Sequence, residues 1–309
     1  MSGLIALDWG TSSLRAFRMD ADGAVQEKRE RPWGIRHLPP GGFAAALAGT
    51  IGDWSDAPLI ACGMVGSRQG WQEVPYVDVP AGADDLARHL ARADIDAGRV
   101  LYLVPGLHHR RGPDVMRGEE TQLVGALARM PAAAPASTWI LPGTHSKWVT
   151  VRDSRIVDFA TVMTGEVFAV MRGHSILGVD MEPPGSDDTA FVQGVREARD
   201  SGAAGGFSRL FSTRARRLEG RLSAAGSADY LSGLLIGEEY RAMRAEGRFD
   251  TRAPLHMIGA EALCRRYRRA AVLFGISVTP APAAAAARGL WHIAGQAGLS
   301  VNPSVSLEH

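Results

Sequence analysis

Asp8 stands two residues before the turn Gly10-Thr11-Ser12-Ser13. Glycine lets a backbone come close to a ligand, and small hydroxyl residues add donors beside the backbone N–H groups, so such a turn is a cradle for an anion. A second turn of this kind, Gly143-Thr144-His145-Ser146, follows at an offset of 133 residues. Two such cradles on facing domains would grip a nucleotide's phosphates from both sides. Asp8 beside the first suits Mg2+ held through water, because Mg2+ takes carboxylate, water and phosphate oxygens and seldom an all-protein cage. One Asp-x-Gly-Thr alone reads as a turn with a capping acid. The duplication favours the phosphate reading.

The elements around the turns repeat as well. "GLIAL", "LRAFRM" and "AVQEKRE" read as three strands, the last pair joined by a turn at Asp22-Gly23. "STWILPGTHSKWVTVRDSRIVDFATV", Ser137 to Val162, follows the same plan. Two strand-turn-strand-turn-strand units, each opening half of the chain, imply two related domains. Helical patterns occupy "GGFAAALAGTIGDW", "DDLARHLARAD", "GEETQLVGALARM", "GEVFAVMRGHSIL", "DDTAFVQGVREAR", "GFSRLFSTRARRL", "SADYLSGLLIGEEYRAM" and "GAEALCRRYRRAAVLFG". Between them lie the short apolar strands "APLIACGM", "VLYLVPG", "LHMIG" and "ISVTPA". The mixture is α/β. "MPAAAPAS" is the expected hinge, giving domains 1–134 and 135–306, with 307–309 a tag remnant. The Arg-rich run from Arg196 to Arg221 reads as a solvated helical face, "GAAGGF" as a flexible connection, and "GLHHRRGPD" as a polar loop.

The bulk numbers exclude some classes. The 309 residues carry a net charge of +1, which argues against a nucleic-acid surface as the main function. No run approaches the roughly 20 apolar residues of a membrane span. Asp8 interrupts the first apolar run and no basic leader precedes it, so no signal peptide is expected. Two cysteines, Cys62 and Cys264, sit in apolar segments and read as reduced core residues of a cytoplasmic protein.

"LDWGTSSLRAF" resembles the first phosphate motif of the sugar kinase, heat-shock ATPase and actin superfamily, and "LPGTHSKWV" its second. "LHMIGAEALCRRYRRAAVLFGISV" is similar to the superfamily's adenosine motif, and "YLSGLLIGEEY" to the neighbouring helix. With "GMVGSRQGW", "DVMRGEETQLVGAL" and "MTGEVFAVMRGHSILG", these blocks resemble the 2-dehydro-3-deoxygalactonokinase family from about residue 3 to residue 300. The resemblance implies a two-domain actin-like ATPase (ribonuclease H-like) fold with a duplicated β-meander core and an interdomain cleft. It implies ATP-dependent phosphorylation of the 6-hydroxyl of 2-dehydro-3-deoxy-D-galactonate, with Mg2+, in galactonate breakdown. ATP and the sugar acid are the implied partners, with neither nucleic acid nor membrane, and with room for a homodimer.

The resemblance also distributes roles. Gly10, Thr11, Ser12, Ser13, Gly143, Thr144, His145, Ser146 and Lys147 would meet phosphate, and Gly259 the adenosine. Asp8 would hold Mg2+. Glu119 and Glu120 open a helix where sugar kinases of the superfamily keep a catalytic acid, and either aligns as the base. Both also simply suit a helix N-terminus. Arg68, on a loop after the strand "LIAC", and Arg117 would bind the substrate carboxylate, since Arg pairs planar carboxylates well. Trp71 would close over the sugar acid. Glu166 either lines the cleft or caps the following helix. The repeat departs from itself at one point, because Leu141 takes the place of Asp8. His145 and Lys147 make that second turn more cationic, toward the γ-phosphate or toward the substrate carboxylate.

Three rival readings remain on the sequence alone, one of them a hydrolase cleaving phosphate from ATP or polyphosphate, which a carboxylate base beside a closed sugar pocket argues against. Another small-molecule kinase of the superfamily would not need Arg68 and Arg117 for a neutral sugar. A non-catalytic sugar sensor would need a DNA-binding segment, and the first strand begins by Leu4.

Overall fold

The computed structural model describes residues 3–54, 57–95, 98–185, 187–250 and 252–299. The expected tag remnant at 307–309 lies outside the described residues. Strand β1 (Leu4–Trp9) is buried at every position except Asp8, which is half-buried. A strand covered on both faces needs this continuous apolar run, and the structure makes β1 a central strand. It pairs antiparallel with β2 (Leu14–Met19), which pairs antiparallel with β3 (Val25–Arg31). On its other side β1 runs parallel to β4 (Leu59–Cys62), then β7 (Val100–Leu103), with β6 (Ala91–Asp94) antiparallel at the edge. The sheet order is therefore β3-β2-β1-β4-β7-β6.

The second meander builds the second sheet. β10 (Ala136–Leu141), β11 (Ser146–Arg152) and β12 (Arg155–Val162) stand beside β13 (Leu255–Met257) and β14 (Val278–Pro280) in the order β12-β11-β10-β13-β14. As with β1 and β4, β10 runs parallel to its neighbour β13. The expected duplication of the meander is thus present, one copy in each sheet, and in each a parallel strand follows beside it. The chain divides into two compact units. One holds the residues up to Ala136 with Val151–Phe159 and the stretch from Ala281, and the other holds Ser137–Thr150 and Ala160–Pro280. Among the described residues, no helix is long and apolar enough to cross a membrane.

Helices α1 (Gly42–Ile51), α3 (Glu119–Arg129), α4 (Thr164–His174), α5 (Asp188–Arg199), α7 (Ala224–Ala245) and α8 (Glu261–Leu273) lie where the periodicity puts them. The run expected as one helix from Asp84 to Asp94 is different. Helix α2 stops at Arg88 (Ala83–Arg88), and Ala91–Asp94 becomes β6 because β7 offers it a ladder. "GFSRLFSTRARRL" splits into a 3-10 turn (Gly206–Arg209) and α6 (Ser212–Leu218). "GLHHRRGPD" is not a loop throughout. β8 (Leu107–His109) pairs with β5 (Val77–Asp78) and β9 (Asp114–Met116) in a small sheet. Adjacent histidines alternate sides there: His108 bonds Asp78 at 3.2 Å, and His109 lies 3.6 Å from Asp158.

Helix α9 (Ala285–Gln296) had no counterpart in the sequence reading. It belongs to the first unit and lies directly on α3. A Cβ on Gly125 would stand 1.9 Å from the Ala285 carbonyl oxygen, and one on Gly289 equally close to that of Thr121. Two glycines therefore let the helix backbones touch. Cys62 and Cys264 are free thiols in the two cores, as expected.

Candidate active site

The first turn closes on itself, with the Gly10 N–H donating to the Ser13 carbonyl at 3.0 Å. Its outward carbonyls are taken: Gly10 and Thr11 accept from the N–H groups of Ile35 and Arg36 at 3.1 and 3.2 Å. Gly34 lies so close that a Cβ there would be 2.3 Å from the Ser12 nitrogen. Among the described residues nothing accepts from the N–H groups of Thr11 or Ser12. A turn whose carbonyls are occupied and whose N–H groups are available has the polarity of an anion cradle.

Asp8 sits directly opposite Arg15 across the β1–β2 ladder, and Arg15 sits opposite Glu30 on β3. The Arg15 guanidinium donates to Asp8 Oδ2 at 3.1 Å and to Glu30 Oε1 at 3.2 Å. Burial pushes the Asp8 carboxyl above its ordinary value. Arg15 pulls it back, and Glu119 and Glu30 push it further up. The influence of Glu119 places the two acids in one neighbourhood. Asp8 Oδ1 bonds no described group. Two neighbouring acids with one free oxygen fit a divalent cation held through a single carboxylate and water. Among the described residues no three His, Cys, Asp or Glu side chains gather as a metal cage. Arg15 has no role assigned from the sequence, although the four-residue turn already sets residue 15 opposite residue 8.

Two glycines bring α3 to this place. Gly63, at the end of β4, has φ +93° and would press a Cβ to 2.7 Å from the Trp9 carbonyl oxygen. Gly118, with φ +108°, would meet the Gly63 Cα at 3.2 Å. Left-handed backbone is open to glycine at little cost, so β1, β4 and the start of α3 meet backbone to backbone. The first turn of α3 then presents two different acids. Glu120 is fully buried, accepting the Gly118 N–H at 2.7 Å and the Thr121 hydroxyl at 2.9 Å. Glu119 is half-buried and accepts the Arg117 N–H at 3.0 Å.

Burial, then Glu119, pushes the Glu120 carboxyl up to about 7. An acid raised in the folded state keeps a proton that the unfolded chain has already lost. Stability therefore falls as pH rises from the unfolded value of roughly 4.5 to about 7, and is flat above. The shift corresponds to about 3 kcal/mol. Chemical denaturation at pH 5 and pH 8 should show wild type losing most of that relative to Glu120→Gln. Parallel behaviour of the two proteins would remove the buried charge from the account.

Arg117 and Arg68 differ sharply. Arg117 stacks on Tyr76, its guanidinium 4.3 Å from the ring centroid, and donates through Nη2 to the Val74 carbonyl at 2.7 Å. Its Nε and Nη1 are buried and have no hydrogen-bond partner among the described residues. Orphaned charged donors in the interior are costly. Arg68 is exposed at the tip of a loop folded back through the Trp71 N–H to the Val65 carbonyl at 2.8 Å. Trp71 is partly buried against the core, edge-on to Trp9 and stacked on Phe43.

The second turn lies in the other unit. Gly143 is open, since a Cβ there would meet nothing closer than 3.9 Å. Gly165, in the first turn of α4, presses on the Gly143 carbonyl and the Thr144 Cα, at 2.5 and 2.8 Å for an added Cβ. The Glu166 N–H donates to the Thr144 carbonyl at 3.0 Å, and its carboxylate pairs with the His145 ring. Ser146 is buried and its hydroxyl bonds Tyr267 at 2.8 Å. Lys147 is also buried, its ammonium 3.3 Å from the His145 carbonyl. Leu141 and Trp148, the counterparts of Asp8 and Arg15 at the repeat offset, are both buried apolar residues. Neither residue of the first copy's ion pair has an ionisable counterpart in the second. Gly259 follows β13, exposed, with room for a Cβ limited by Cys264 Sγ at 3.1 Å and the Pro142 carbonyl at 3.3 Å.

Comparison with known proteins agrees with this layout. The chain matches the 2-keto-3-deoxy-galactonokinase family over residues 8–293. It is 36% identical to the 2-dehydro-3-deoxygalactonokinase of Escherichia coli K12, over 89% of this chain and 91% of that one. A solved Sinorhizobium meliloti structure of the same family superposes with a TM-score of 0.85 at 36% identity, covering 94% and 98% of the two chains. The activator of 2-hydroxyisocaproyl-CoA dehydratase from Clostridium difficile, with bound ADPNP, is similar in fold alone, with a TM-score of 0.52 at 12% identity over 99% and 100%. The fold is accordingly the actin-like ATPase and sugar kinase fold. This chain, with its duplicated meander and its acids gathered at the first turn, belongs to the 2-keto-3-deoxy-galactonokinase family.

Proposed function

We infer that the protein transfers the γ-phosphoryl group of ATP to the 6-hydroxyl of 2-dehydro-3-deoxy-D-galactonate, in the cytoplasm, as a step of galactonate breakdown. Membership of the family over nearly the whole chain carries this reading. We assign phosphate oxygens to the N–H groups of each turn, those of Thr11 and Ser12 being available in the first. Mg2+ would be held at Asp8 and would neutralise phosphoryl charge. Glu119 takes the proton of the sugar hydroxyl. Glu120 supports it from the interior, since both of its oxygens are occupied within the first turn of α3. The adenosine lies toward Gly259 and α8. Arg117, stacked on Tyr76, is the cation we assign to the substrate carboxylate. Arg68 and Trp71 are the further residues we assign to the sugar acid.

A coupled ADP-release assay over 2-keto-3-deoxy sugar acids and neutral sugars tests the reading. Activity is expected on the galactonate-derived keto acid and not on neutral sugars. Arg117→Lys keeps the charge but loses the guanidinium fork. Its KM for the sugar acid should rise about 10- to 100-fold with kcat less affected, the worth of a charged hydrogen bond. Activity confined to neutral sugars, or an unchanged KM in the variant, would overturn the substrate.

A further inference from the structure

Below the second turn lies a carboxylate with no place in the reaction just described. Glu239, on α7, is 1% exposed. Its Oε1 accepts the Trp148 indole N–H at 2.8 Å. Its Oε2 accepts the Tyr267 hydroxyl at 2.7 Å and also the Thr164 hydroxyl. Tyr267, on α8, is in turn 2.8 Å from Ser146 Oγ. Burial pushes the Glu239 carboxyl above its ordinary value, and these donors offset part of that rise.

The proton directions follow from the donor types. An indole N–H only donates, so Oε1 is an acceptor. With Glu239 ionised, Tyr267 gives its proton to Oε2 and receives the proton of Ser146. Every hydroxyl in the chain therefore points inward, toward one buried charge. The two ends of that chain are the two supports of the second turn. Ser146 is its last residue. Thr164 opens α4, and the adjacent Gly165 and Glu166 pack on and bond to Gly143 and Thr144. A desolvated carboxylate normally carries a cost, which is offset here only while all its donors are in place.

We propose that Glu239 is the positioning residue of the second phosphate turn, setting Ser146 and the start of α4 and, through them, the backbone N–H groups that meet ATP. The proposal rests on the reading of this turn as a phosphate site. Glu239 touches no reacting atom. It acts from inside, joining the turn to α7 and α8 at once.

The test uses the full-length enzyme. Glu239→Gln keeps the side-chain size but puts an NH2 where two hydroxyls now donate. The KM for ATP should rise about 10- to 100-fold, the cost of a misplaced group, while the KM for the sugar acid stays within twofold and the protein still melts cooperatively. Adding Ser146→Ala to Glu239→Gln should cost less than a further twofold, because both act on one chain of bonds. Should Glu239→Gln not fold, Thr164→Val and Ser146→Ala each remove one hydroxyl and carry the same readout. An unchanged KM for ATP, an equal rise in both KM values, or fully additive losses would each overturn the proposal. Gly143→Val separates it from the reading beneath: the added side chain enters open space at the turn. If it raises the KM for ATP while Glu239→Gln does not, only the positioning role falls. If neither does, the phosphate reading falls and the positioning role with it.

Discussion

Glu119→Gln should lower kcat about 100- to 10,000-fold, the range for losing a general base. KM for ATP and for the sugar acid should move only a few-fold. The structure sharpens this by making Glu120 a control. Glu120 has no exposed surface, and both its oxygens accept hydrogen bonds from its own turn. Glu120→Gln should therefore lose far less activity, and of the two variants only it should remove the Glu120 share of the pH dependence of stability between 5 and 8. A single-turnover measurement with both variants decides the matter. Equal loss in both, or loss only in Glu120→Gln, would reassign the base.

Asp8→Asn should cut turnover about 100- to 1,000-fold, as expected when a charge that organises the phosphoryl oxygens is lost. The fold should survive. Arg15 keeps Glu30 across the next strand, and asparagine carries no charge for burial to penalise. At pH 8 the variant should melt no lower than wild type. A titration of rate against Mg2+ should show half-saturation at higher metal concentration, while the KM for the sugar acid changes little. A fully active Asp8→Asn enzyme would sink the metal role.

What could be read beforehand was local or repeated. The offset of 133 residues aligned two meanders, and both sheets carry them in the same order. Short-range pattern failed where a neighbour decided. "LARAD" has helical spacing, yet Ala91–Asp94 pairs with β7. Strands of two or three residues, such as Val77–Asp78 and Leu107–His109, are too short to show a period. Arg15 was legible in principle, because hairpin register sets it against Asp8. Glu239 was not, since its partners Trp148, Thr164 and Tyr267 lie 91, 75 and 28 residues away.

The contact between α3 and α9 bears on how the enzyme comes into being. The helix carrying Glu119 and Glu120 rests on one that starts only at Ala285. During translation, the residues from Ser137 to Pro280 that complete the second unit emerge before the first unit has its last helix. Domains ordinarily fold in the order in which they leave the ribosome. Here the unit begun first must finish last, by a closure across more than half the chain, and long-range closure is slow. The acids of α3 thus reach their final support only when the second unit's chain is already complete, so nascent chains should remain catalytically silent until the final helix docks.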